Sequence, residues 1–285
     1  PDRLALAVTL YWLIAFVGVV LFGETVWFAR AEPFSLFFRF VAALSPVIVE
    51  PEDDKGRVRL SLALPGAGLV ARPPVELAQA FFLLGALATV SFDALSKTFV
   101  WLSLGNVNPL EFPGRTDMIP QNSAGLLIAV VALIAVYVVA VRLGWELAAR
   151  PEPLDKTLGA FVHAILPISL GFHLSHYLTA LLVDSQYALA AASDPFGTGA
   201  DWFGTREIYV VTSFLSTLEG VSSIWLTQTI AVVIGHVLAV IVAHAIAIKR
   251  YGDAAVATKT QAPLAIGMVG YTLFGLWLLS TPIAG

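Results

Sequence analysis

Apolar residues gather along this chain into six long runs, roughly 4–22, 74–92, 122–144, 158–183, 224–248 and 262–281. Each comes near the ~20 residues that an α-helix needs to cross a bilayer core. The pattern predicts an all-α fold in a single domain: a polytopic transmembrane helix bundle of about six spans, with both termini on one side. The loops after the first, third and fifth runs hold twelve of the sixteen basic residues, from Arg30 to Lys259, and the other side holds only Arg3, Lys97, Arg115 and Arg206. By the positive-inside rule this asymmetry places the termini outside.

Shorter patterns fill the loops. Residues 32–46 are too short to cross and carry Arg39, so they read as a helix lying in the interface. Arg57-Val-Arg-Leu-Ser-Leu-Ala-Leu64 alternates before Pro65-Gly66, which predicts a strand, a turn and a return through 69–72: a small cytoplasmic hairpin. Opposite lie residues 93–121, with Asp93, Glu111 and Asp117, and a long outer loop at 184–223. The apolar stretch from Ile208 to Leu218 in that loop predicts a helix across the outer face. The glycine-rich 193–204 is no phosphate loop, because it lacks the Lys-Ser/Thr pair and follows no strand.

Composition narrows the function classes. Hydrophobic residues make up 58% and charged residues 13%, against about 45–50% and 25% in soluble domains. The main partner is therefore the lipid bilayer. No basic run exceeds the Lys249-Arg250 dipeptide, which excludes a nucleic-acid footprint. Cysteine is absent, so disulfides, thiolate nucleophiles and Cys-type metal sites are excluded, and any metal rests on nitrogen and oxygen ligands. The chain opens at Pro1, with a first run too long for a cleaved signal peptide; the expectation is a processed chain or part of a longer one.

All five histidines fall in the fourth and fifth runs, where imidazole is costly and functional by default. If those runs are antiparallel neighbours, His163 and His244 form an inner, cofactor-binding layer, and His173, His176 and His236 a middle-to-outer one. In His173-Leu-Ser-His176 the two rings stand about 60° apart on a helix, close enough to chelate one ion. With His236 they make a nitrogen-rich transition-metal site for zinc, copper or iron. Pro167 and Gly171 lie between the layers, where proline frees a carbonyl and bends the span. Three other readings stay open: a single haem, a proton or solute pathway, and histidines that only join helices. Two haems are disfavoured, because His163 and His176 fall about 140° out of register on one helix.

Among the remaining candidates, Asp93 sits where the second span meets the outer side, either as a helix-end group or as part of the site. Glu219 precedes Gly220 beside the fifth span and is a candidate general base or a solvated acid. Trp12 falls mid-span and reads as packing, and Gly267, Gly270 and Gly275 read as close-packing positions of the last span.

Several landmarks together resemble one family. Gly23-Glu-Thr-Val-Trp27, Ala31-Glu-Pro-Phe34 through Leu44-Ser-Pro46, Ser91-Phe-Asp-Ala-Leu-Ser96, Gly171-Phe-His-Leu-Ser-His-Tyr177, Ser193-Asp-Pro-Phe-Gly197 and Gly235-His236 are similar to the bacterial polytopic membrane proteins called fenitrothion hydrolase-like. The resemblance covers most of the chain as the C-terminal half of a longer family. It implies a multi-span inner-membrane protein and, by name, hydrolysis of organophosphorus esters, with no catalytic residues to carry over. A metal on His173, His176 and His236 would then polarise the ester, and Asp93 or Glu219 would take a proton from bound water. The alternatives are a non-enzymatic membrane component (a transporter, a metal-handling protein or an accessory subunit of an electron-transfer complex beside other membrane subunits) and a purely structural subunit.

Overall fold

The computed structural model describes residues 2–51, 57–108 and 118–282. Lys55, Glu111, Arg115 and Asp117 lie outside the described residues. The helices in chain order are α1 (Asp2–Phe22), α2 (Glu24–Arg30), α3 (Pro33–Ala42), α4 (Ala67–Val70), α5 (Leu77–Ser96), α6 (Phe99–Leu104), α7 (Ile119–Leu147), α8 (Leu154–Phe161), α9 (Leu166–Ser193), α10 (Leu218–Tyr251) and α11 (Ala254–Ser280). Among the described residues six helical segments are long and apolar enough to cross a membrane, with α8 and α9 joined into one of them. The polytopic all-α bundle is therefore as the hydropathy pattern predicts.

Five of the spans close into a ring. α9 packs on α10, α10 on α11, α11 on α7, α7 on α5, and α5 back on α9. The end that carries residues 23–51, 57–76, 148–153 and 252–253 is the basic end. α1 stands outside the ring and is held by α2 and α3. Gly23, at φ 79°, reverses the chain so that α2 folds back along α1. There Trp27 covers Gly18, and the Tyr11 hydroxyl donates to Glu32. Glu32 also caps α3, accepting from the backbone N–H groups of Phe34 at 2.9 Å and Ser35 at 2.5 Å, with Pro33 opening the helix. Burial works against its ionisation, but these bonds outweigh that and hold the carboxyl at about 2. α3 is too short to cross; it buries Leu36 and Phe40 and exposes Phe34 and Phe38.

The fourth span is broken. Proline at 167 has no N–H for the His163 carbonyl, which is taken instead by the Leu166 N–H in a 3-10 turn over Val162–Ile165. The break lies at the basic end, against the loop before α5, where the Val75 N–H donates to the Gly159 carbonyl at 3.1 Å. Glu152, between α7 and α8, clamps this end shut. It accepts from Nε and Nη2 of the Arg250 guanidinium, from Tyr251 at 2.8 Å and from Thr157 at 3.1 Å.

Six local expectations need correction. The hairpin is real, but β1 (Val47–Pro51) precedes the alternating segment and pairs antiparallel with β2 (Val58–Leu62). The expected return at 69–72 is instead α4 and its end, because Gly66 takes a left-handed φ of 86° that starts a helical turn. The outer loop is shorter than 184–223, since α9 runs on to Ser193 and α10 begins at Leu218. Within it, 208–212 is not helical. Its β-branched residues resist helix, and Gln186 takes both polar groups of Val211, donating to its carbonyl at 3.0 Å and accepting from its N–H at 2.8 Å. Trp12 does not pack in the core; it is exposed and stacks on Phe16. Gly267 and Gly270 meet nothing, and only Gly275 of the three accommodates a neighbour, the Phe172 ring.

Candidate functional site

The crossing of α9 and α10 sets the depth of every histidine. A Cβ on Gly171 would lie 2.7 Å from the Ala231 carbonyl oxygen, and one on Gly235 would lie 2.6 Å from that of Pro167. Only glycine lets the backbones approach this closely. One further pairing fixes the register: the Gln228 amide donates to the Ser175 carbonyl at 2.8 Å. His236 follows Gly235 at this crossing and therefore lies nearer the basic end than His173.

That register takes apart the three-histidine set. His176 turns to α5, where its Nε2 donates to Asp93 Oδ2 at 2.6 Å. His173 faces Phe37 of α3, and its Nδ1 donates to its own helix at Ser169 O, 2.7 Å away. His236 lies deeper, against Phe172 and Tyr271. Among the described residues no group of three His, Asp or Glu side chains is placed to hold a metal ion. The inner pair is not formed either. His163 is fully buried beneath Phe40, whereas His244 is exposed and bonded to Gln261 of α11 at 2.5 Å. Glu219 sits in the exposed first turn of α10, where its charge suits the helix N-terminus, and it shares no bond with Asp93 or a histidine.

The ring also holds polar groups at several depths. At the end away from the basic loops, Asp93 holds His176 and Lys97, the latter at 2.9 Å, with side-chain exposures of 46% for Asp93 and 16% for His176. The pair thus joins solvent to the interior. Two residues earlier on α5, and on the other side of that helix from Asp93, buried Ser91 donates to Leu87 O at 2.9 Å, so the Tyr271 hydroxyl at 2.5 Å is the donor to it. Tyr271 lies beside His236, with ring centroids 6.2 Å apart. Nearer the basic end, His163 occupies the 3-10 break.

The two deep imidazoles share an electronic state. His236 Nδ1 lies 2.8 Å from Val232 O, and His163 Nδ1 lies 3.1 Å from Ala160 O. A carbonyl only accepts, so each Nδ1 carries the proton, and each neutral ring presents a lone pair at Nε2. Both Nε2 atoms are buried and without a protein partner. Such groups are costly unless a proton or water reaches them. The sequence had singled out Asp93 and the histidines. It missed Tyr271 and Ser91, whose only signal was a polar residue within an apolar run.

No protein-family model, no curated protein and no solved structure matches this chain.

Proposed function

We propose that this multi-pass membrane protein conducts protons through its helix ring, as a transport-type component, by way of Asp93–His176, Ser91–Tyr271, His236 and His163. One observation carries the reading: polar and titratable groups occur at several depths of the bundle, and two buried imidazoles end in unpartnered Nε2 atoms. A metal centre needs its ligands to converge, whereas a relay needs them in series. The carboxylate–imidazole pair takes protons from solvent, and the lone pairs of His236 and His163 receive them. On this reading the protein sits in the bacterial inner membrane with the basic end in the cytoplasm and the termini outside.

A second reading keeps the resemblance to fenitrothion hydrolase-like proteins. Asp93 orients an imidazole at a solvent-reached mouth, which is a general-base arrangement for ester hydrolysis. One experiment separates the two. Protein reconstituted in liposomes with an internal pH dye is expected to dissipate an imposed pH gradient, and Asp93→Asn and His236→Phe are each expected to slow it by about tenfold or more. Liposomes no leakier than empty ones, combined with Asp93-dependent release of p-nitrophenol from a phosphotriester, would overturn the relay in favour of hydrolysis.

A further inference from the structure

The basic end holds a cavity of about 450 Å³ between α2, α3, the loop before α5 and the broken fourth span. Its walls carry Arg30, Arg39 and Arg72 against a single carboxylate, Glu76, and His163 lines it from the buried side. The charges are unevenly matched. Arg30 pairs with Glu76 at 3.5 Å, and Arg39 donates to the Ala29 carbonyl at 2.9 Å. The half-buried guanidinium of Arg72 has no partner among the described residues. Burial pushes its pKa down, and the neighbouring positive charge of Arg39 pushes it further. A guanidinium keeps its proton regardless. The fold therefore holds half-buried Arg72 near exposed Arg39, while the cavity's carboxylate, Glu76, is paired with Arg30.

His163 supplies an independent observation. It is 1% exposed, and its Nε2 has no protein partner. The neutral ring presents a lone pair at Nε2, so His163 becomes a donor to an anion in the cavity only when it gains a second proton. Guanidinium groups with an imidazole are the donor set that recognises tetrahedral oxyanions, and forked Arg geometry matches phosphate oxygens. The volume falls within the range of ordinary ligand sites.

We infer that the cavity walled by Arg39, Arg72 and His163 is a binding site for a phosphate group. The phosphate belongs to an anionic lipid headgroup or to a free ion, and the two share the same recognition chemistry. The site follows from the cavity itself and does not require that the histidines conduct protons.

The test uses the whole chain purified in detergent. Inorganic phosphate is titrated while thermal stability is followed, and phosphatidylglycerol and phosphatidylcholine are compared by native mass spectrometry. Arg72→Gln and Arg39→Gln are each expected to weaken binding by about tenfold or more, whereas Arg142→Gln, at a surface pair with Glu146, leaves it unchanged. Saturable stabilisation by phosphate supports the site with a free anion. Selective retention of phosphatidylglycerol, lost in both cavity variants, supports it with a lipid. If wild type binds neither probe more tightly than the two variants do, the site is overturned.

Discussion

Glu152 shows how much one residue contributes to the basic end. Burial raises the cost of its charge, but hydrogen bonds from Arg250 and Tyr251 more than offset it, so its pKa is lowered from 4.5. A carboxylate depressed on folding contributes stability that is complete above its ordinary value and lost as pH falls through the lower, folded one. Arg250→Met is therefore expected to cost about 1.5–3 kcal/mol at neutral pH. The difference between variant and wild type should close on acidification below the normal carboxylate range. Thermal unfolding in detergent across a pH series checks both. A penalty that stays constant into acid would mean that Arg250 acts by packing and not through Glu152.

At the scale of elements, the Gly171–Gly235 crossing decides where chemistry sits. A side chain at 235 would strike the Pro167 carbonyl directly. Gly235→Leu is expected to destabilise by roughly 3 kcal/mol or more through overpacking, while Gly267→Ala, which meets open space, leaves the melting midpoint unchanged. The six spans were legible in the sequence because lipid demands an apolar length from each. Their register was not. Matching spans by hydropathy alone set His236 level with His173, but α9 and α10 extend well past the apolar runs, and glycine contacts fix their offset. The Asp93–His176 contact was half visible, since depth suggested it but nothing in the spacing said which ring would turn to α5. The hairpin partner was hidden for a similar reason: β1 ends in Glu50-Pro51, where no polar alternation marks a strand.

The whole molecule is a closed ring of five helices with one span outside it and its charge gathered at one end. Positive loops resist transfer across a membrane, so the basic end should face the cytoplasm. The chain is free of cysteine, which makes this directly measurable. A single cysteine at Lys156→Cys is expected to resist an impermeant maleimide in right-side-out vesicles, and one at Glu207→Cys to react. The reverse pattern would invert the molecule and place the arginine cavity on the outside.

The imidazoles of His236 and His163 each present a buried Nε2 with no protein partner. Such rings cannot bond to each other directly; a water or an added proton must bridge them. Were both to hold a proton, two like charges inside one bundle would repel. On the relay reading double occupancy is therefore disfavoured, and the two rings would load and empty singly, in the manner of a turnstile.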